Sequence, residues 1–176
     1  VYVEFSEVTI RNCVFENNSV EYGEFDLGAI GGAVCNYYGS LIIESCSFKN
    51  NTSQGLSDFG GGGAVYSTNG NLSITDSAFE GNSSEFRGGG IYAEYANNYS
   101  VTNCTFTGNT AYFGGGMHNY TSSPTLTNCT FTKNTAAEWG GGMLNNNNSS
   151  PSLIDCTFTD NTASLYGGGI NNWNSE

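Results

Sequence analysis

Residues able to do acid–base or metal chemistry are few in this chain, and they are scattered. The 176 residues include one histidine, His118, and 4 cations, Arg11, Lys49, Arg87 and Lys133, against 16 Asp and Glu. The densest group of acids is Glu16, Glu21, Glu24 and Asp26. Of these, Glu21, Glu24 and Asp26 form a candidate Ca²⁺ set, because carboxylate oxygens suit that ion. A solvated acidic loop is the simpler account. Two neighbouring acids do not make a glycosidase pair without a known separation. His118 follows Met117, and strand alternation points it outward, as a solvated surface side chain. No GxSxG, HExxH or GxxxxGK[ST] segment occurs. The expectation is a protein that is not an enzyme, with no catalytic residue, cofactor or resident metal.

The charge balance narrows the partners. The net charge is −12. Duplex nucleic acid and anionic membrane surfaces attract the opposite sign, so neither fits. No apolar run approaches the roughly 18 residues of a membrane helix, which argues against membrane insertion. The chain opens with Val1 rather than Met, which suggests removal of an N-terminal segment. Aromatic residues make up 14% of the chain, whereas disordered chains are poor in them.

Cysteine and asparagine carry further patterns. Cys13, Cys46, Cys104, Cys129 and Cys156 each stand 5 residues before an asparagine, and Ser77 takes that place once. Such a column would set Cβ atoms about 4.8 Å apart and parallel. A disulfide needs about 3.5–4.5 Å and converging vectors. The thiols therefore read as small buried hydrophobes. Cys35 lies outside the column. Sequons are numerous, and Asn98, Asn119 and Asn147, read as loop residues, are the candidate N-glycosylation sites.

What must position all of these residues is a repeat. An FxxN motif recurs as Phe15/Asn18, Phe48/Asn51, Phe79/Asn82, Phe106/Asn109, Phe131/Asn134 and Phe158/Asn161. Each is followed by a GG[A/I/M] motif ending in Ala33, Ala64, Ile91, Met117, Met143 or Ile170. By subtraction, the phenylalanines are 33, 31, 27, 25 and 27 residues apart. A period of that size defines a solenoid, in which a repeat buries its apolar face only against its neighbours. The apolar residues lack a helical period, and Thr-rich alternation with Asn/Gly punctuation predicts short strands. The expected fold is all-β: a right-handed parallel β-helix of about six coils, with three strands per coil. The coils run roughly 1–33, 34–64, 65–91, 92–117, 118–143 and 144–176, as one domain. Bends are expected at Asn12, Ser45, Asp76, Asn103, Asn128 and Asp155, since Asn and Asp tolerate left-handed backbone. Stacking should produce inner columns of Ile10 to Leu153, of the six phenylalanines, and of Ala33 to Ile170.

The paired FxxN and GG[A/I] motifs resemble the repeats of the polymorphic outer-membrane adhesins. These lie within the pectin-lyase-like class of right-handed parallel β-helices. The resemblance covers Phe15 to Ile170. It implies a secreted or surface-exposed passenger used in adhesion. It does not extend to that family's membrane barrel, so it implies no anchor. Polysaccharide lyases of the wider class use calcium-binding acids and a basic residue across adjacent coils, and the cations here fall in different registers.

Length changes concentrate at one corner. From the FxxN Asn to the first glycine of its pair, the gaps are 13, 11, 7, 6, 7 and 7 residues. The insertions Val20–Ile30 and Thr52–Gly61 therefore share a face, and solenoid insertions often mark the binding face. Aromatic residues stand just before the glycines at Phe59, Phe86, Phe113, Trp139 and Tyr166. Either they cover the glycine backbone, or they stack on a ligand. With Tyr22 and Phe25 of the first insertion, they are the candidate binding residues. The functional expectation is an extracellular or cell-surface structural and adhesive solenoid, with a filament of end-to-end protomers as one form. The alternative is a carbohydrate-binding or carbohydrate-active domain using the insertion face. Expected partners are further β-helix coils, from the same longer chain or from identical protomers, and surface glycans.

Overall fold

The computed structural model describes residues 1–21, 29–55 and 60–174. Every paired strand is parallel, and the strands form four sheets that run the length of the stack. Sheet I follows the glycines and has seven strands: Tyr2–Glu4, Val34–Tyr37, Val65–Thr68, Ile91–Glu94, Met117–Tyr120, Met143–Asn146 and Ile170–Trp173. Sheet II holds the V-x-I segments Glu7–Arg11, Ser40–Glu44, Asn71–Thr75, Asn97–Thr102, Thr125–Thr127 and Ser152–Ile154. Sheet III carries the phenylalanines on Val14–Glu16, Ser47–Lys49, Ala78–Glu80, Thr105–Thr107, Thr130–Thr132 and Thr157–Thr159. Sheet IV is an addition to the three expected strands. It consists of Ser19–Glu21, Thr52–Gln54, Ser83–Ser84, Thr110–Phe113, Thr135–Trp139 and Thr162–Ala163.

The corners follow from local chemistry. All six expected bend residues, Asn12, Ser45, Asp76, Asn103, Asn128 and Asp155, have φ between 50° and 53°. Short polar side chains bear left-handed backbone at least cost. At the next corner the left-handed residue is the one before each FxxN asparagine: Asn17, Asn50, Gly81, Gly108, Lys133 and Asp160. That frees the FxxN asparagine to turn its amide inward. Asn109 Nδ2 donates to Phe79 O at 3.0 Å and to Asn134 Oδ1 at 2.9 Å. Its own Oδ1 accepts from the Asn82 backbone N and from Asn82 Nδ2. The pattern repeats from Asn18 to Asn161, and it satisfies the four asparagines that are fully buried, Asn51, Asn82, Asn109 and Asn134.

Inside, the isoleucine column pairs in register from Ile10 through Ile43, Ile74, Val101 and Leu126 to Leu153. The phenylalanine rings lie nearly parallel, with centroids 4.5–4.9 Å apart. Each buried Phe contributes about 1.5–3 kcal/mol relative to exposure. The column thiols sit among these side chains, and Cys46, Cys104 and Cys129 are buried. Cys104 Sγ donates to Thr102 O at 3.1 Å.

The third inner column is one residue away from its expected place in two coils. Val34, not Ala33, aligns with Val65, and Val65, not Ala64, aligns with Ile91. Ala33 and Ala64 instead take the register of Gly90 and Gly116 in the third place of a glycine triplet. The first place of that triplet has left-handed backbone, as at Gly88 (φ 60°) and Gly114 (φ 66°). The second is sterically closed: a Cβ on Gly115 would lie 2.4 Å from Thr135 O and 2.5 Å from Gly141 O. The third is filled by alanine at Ala33 and Ala64, whereas a Cβ on Gly116 would lie 2.6 Å from Gly142 O.

Candidate binding face

The outer side of sheet I carries a column that runs Cys35, Tyr66, Tyr92, His118, Leu144 and Asn171. Alternation turns these side chains away from the coil interior. Outward does not mean solvated here, and the expectation of a surface His118 is corrected: its exposure is 1%. The segment before the glycines runs alongside the column as a ladder of bridges, Ile30 to Gly61 to Arg87 to Phe113, continuing Trp139 to Tyr166. Large side chains from this ladder roof the outer column. Gly61 has no side chain because the Tyr92 ring takes that space; a Cβ there would sit 2.6 Å from Tyr92 Cδ1. Cys35, Tyr66 and Tyr92 form a second apolar cluster outside the coil, packed with Ile30 and Tyr120.

Burial governs the chemistry of this layer. It pushes the Cys35 thiol up to about 12. It raises the Tyr66 and Tyr92 phenols as well. Tyr66 OH donates to Glu94 Oε2 at 3.0 Å. For His118, desolvation first and the nearby Arg87 charge second hold the imidazole well below the usual histidine range, so it is neutral at pH 7. The His118 ring lies 5.2 Å from that of Tyr92. Neither His118 nitrogen has a hydrogen-bond partner, and the same is true of the buried Trp139 Nε1.

The aromatic residues gather at the C-terminal half of this ladder. Trp139 lies 5.0 Å from Phe113, 6.3 Å from Tyr166 and, edge-on, 4.5 Å from Trp173. Phe86 is offset by one: Arg87 holds the ladder position, and Phe86 stacks on Tyr112 at 5.9 Å and meets Phe113 edge-on at 5.4 Å. Arg87 Nη1 donates to Tyr92 OH at 3.2 Å, with the guanidinium over the Phe86 and Tyr92 rings. Between these groups lies a cleft of about 280 Å³, lined by Phe113, His118, Trp139, Leu144, Asn146 and Trp173 along with Phe86 and Arg87. Trp139 and Trp173 also border a second cleft of about 390 Å³ with Tyr166, Asn171 and Asn172.

The other sequence candidates are dispersed. Tyr22, Phe25 and Phe59, with Glu24 and Asp26 of the acidic set, lie outside the described residues. Glu21 is exposed on sheet IV beside Gln54. Among the described residues, no group of three or more His, Cys, Asp or Glu converges as a metal site. The insertions are anchored where they meet the stack, with Ser53 Oγ donating to Ala29 O at 2.6 Å. Asn98 is exposed and Asn147 half-buried. Asn119 is a correction. It faces the interior, fully buried, and its Nδ2 donates to Asn145 Oδ1 at 2.9 Å, so a glycan cannot reach it in the folded chain. It belongs to a second inner amide ladder that continues to Asn172. That ladder breaks where Ala93 pairs with Asn119, which leaves Asn119 Oδ1 without a donor. Sequence reasoning missed His118 and Trp173 as parts of one site. The available signal was the outward column itself, unusually apolar at Cys35, Tyr66, Tyr92 and Leu144.

A right-handed stack of parallel sheets is also what the comparisons define. The chain belongs to the family described as the right handed beta helix region, which matches residues 1–176. It is also similar to metabotropic glutamate receptor-like protein R of Dictyostelium discoideum, at 32% identity over 84 residues. That match covers 48% of this chain and 5% of the relative, so this chain corresponds to a small part of that protein. No solved structure matches the chain. Among the described residues, no helix is long and apolar enough to cross a membrane, which leaves strand-based spanning unaddressed.

Proposed function

We propose that this β-helix is an extracellular or cell-surface adhesive module, a binding protein rather than an enzyme, whose contact surface is the aromatic outer face of sheet I. One observation carries the reading: Phe113, Trp139, Tyr166 and Trp173 converge on clefts at the surface of the stack, with Tyr166 and Trp173 exposed. Clustered aromatics at a surface mark interaction sites. The receptor-like name of the relative supports a cell-surface setting. The non-catalytic reading is supported by His118, which lacks the oriented hydrogen-bond partner that a general base uses. Beads coated with the chain should attach to intact cells, and beads coated with Trp139→Ala should attach several-fold less. Attachment no better than that of uncoated beads would overturn the proposal.

We also propose that further β-helix coils are partners of this stack, supplied by a continuing chain or by identical protomers. Leu153 belongs to the inner isoleucine column yet is 38% exposed, so another coil would bury it. For separate protomers, the net charge of −12 opposes contact and salt should promote it. Light scattering that reports a single-chain mass at every ionic strength would exclude self-stacking.

A further inference from the structure

We propose that the side of the stack around sheets II and III bears N-linked glycans, one on each of three stacked asparagine pairs: Asn17 or Asn50, Asn71 or Asn98, and Asn103 or Asn128. The inference rests on the extracellular reading, since this modification is made on chains entering the secretory route. The acceptor sequence Asn-x-Ser/Thr occurs 11 times. The fold sorts these copies. Asn51, Asn82 and Asn119 are fully buried, and the Nδ2 of each donates to an amide oxygen of the next coil. A glycan there would have to break an inner amide column. The six paired asparagines are all exposed.

Corner geometry gives these side chains room. Asn17, Asn50, Asn98, Asn103 and Asn128 have φ between 39° and 56°, so each stands at a left-handed turn. Gly108 shares the register of Asn17 and Asn50, and a Cβ added there would meet nothing within 4 Å. Stacking then limits the load. Asn98 Nδ2 donates to Asn71 Oδ1 at 3.0 Å, and Asn128 Nδ2 donates to Asn103 Oδ1 at 2.9 Å. Asn17 and Asn50 follow paired strands, with Asn17 N donating to Lys49 O at 3.0 Å. Adjacent coils are about 4.8 Å apart, which is too close for two branched oligosaccharides side by side. One glycan leaves the ladder intact, because a side-chain amide has two N–H donors and substitution uses one. The donor is a lipid-diphosphate-linked oligosaccharide. Nδ2 attacks its anomeric carbon, a C–N bond forms, and the C–O bond to the diphosphate breaks. The lipid diphosphate leaves with the electron pair, and the displaced amide proton goes to a base of the transferase. Transfer takes place on the extended chain, and folding then tolerates glycan only at the corners. None of the six asparagines lines the clefts beside sheet I, so the glycans leave the aromatic face bare.

The test secretes the full chain from cultured eukaryotic cells behind a heterologous leader. Folded protein is treated with a peptide N-glycosidase in heavy-oxygen water, which turns each glycosylated asparagine into a labelled aspartate that mass spectrometry locates. Label should appear in every one of the three pairs and be absent from Asn51, Asn82 and Asn119. Intact mass before release should show no more than one glycan per pair. Thr105→Val ends the Asn103 acceptor sequence while keeping that asparagine in its ladder. It should move the label to Asn128 and leave the total glycan mass unchanged. Absence of label from the six asparagines, label at a buried asparagine in folded protein, or both members of a pair carrying glycan in one molecule would each overturn the proposal. If the three pairs are glycosylated while coated beads still fail to attach to cells, the glycan face stands and the contact reading falls.

Discussion

At the residue scale, stability rests on amides that reach in several directions at once. Asn109 bonds to Phe79 O, to Asn134 and to Asn82, all within a buried column. Asn109→Ala removes one side chain but strands groups on three neighbours, each worth about 1–3 kcal/mol when left unmet. The expected loss is about 3 kcal/mol or more by denaturant titration, against under about 0.5 kcal/mol for the exposed Thr107→Ala. His118 gives the stack a pH dependence. Its folded pKa is lowered by burial and then by Arg87, so the unfolded chain binds the proton more readily. Stability from this group is complete above the unfolded value of about 6.5 and falls as pH drops below it, by up to about 1.4 kcal/mol per unit. The native chain should therefore lose stability relative to His118→Leu from pH 7 to pH 5.5. A pH-independent difference would show that His118 does not titrate across folding.

At the element scale, each strand is short, and its worth lies in what it stacks upon. Thr130–Thr132 places Phe131 between Phe106 and Phe158, with centroids 4.5 and 4.6 Å away. Phe131→Ala leaves a cavity between two flat rings and should cost about 3–5 kcal/mol. Thr132→Ala, on the outward alternation, should cost under about 0.5 kcal/mol. Equal losses in thermal melts would contradict the inside and outside assignment. The glycine corner makes a finer distinction between neighbours. Gly115→Ala drives a methyl against two carbonyls, Thr135 O at 2.4 Å and Gly141 O at 2.5 Å, whereas Gly116→Ala meets one, Gly142 O at 2.6 Å, in a register that Ala33 and Ala64 already occupy. The first should lower the melting temperature clearly more than the second.

At the scale of the whole molecule, protection should follow burial coil by coil, because repeats touch only their neighbours. The thiol column measures this directly. Cys13 and Cys156 are half-buried, while Cys46, Cys104 and Cys129 are sealed. Under native conditions at pH 8, alkylation should reach Cys13 and Cys156 first, and Cys104 and Cys129 only as fast as the centre opens. Cys35 should resist doubly, since burial also holds it as the unreactive thiol. Mass analysis of timed samples would show the order, and simultaneous labelling of all six would mean that the stack opens as one unit.

Much of the fold was legible because a solenoid writes its period into the chain. The FxxN repeat, the bend residues and two of the three inner columns follow from spacing alone, since each column needs one residue type at one offset. The glycine column was harder to read: Ala33 and Ala64 look like the apolar position that Val34 and Val65 fill, and only backbone pairing separates them by one residue. Sheet IV was hidden for a similar reason, because strands as short as Ser83–Ser84 carry too few residues to show alternation. The candidate site was legible in part. Phe113, Trp139 and Tyr166 stand out from their place before the glycines, but His118 did not, because alternation gives the direction of a side chain and not what covers it. Local sequence decides which way each residue faces. Only the tertiary structure brings the pre-glycine ladder alongside sheet I, burying His118 beneath it and giving the stack an apolar layer outside its coil as well as one within.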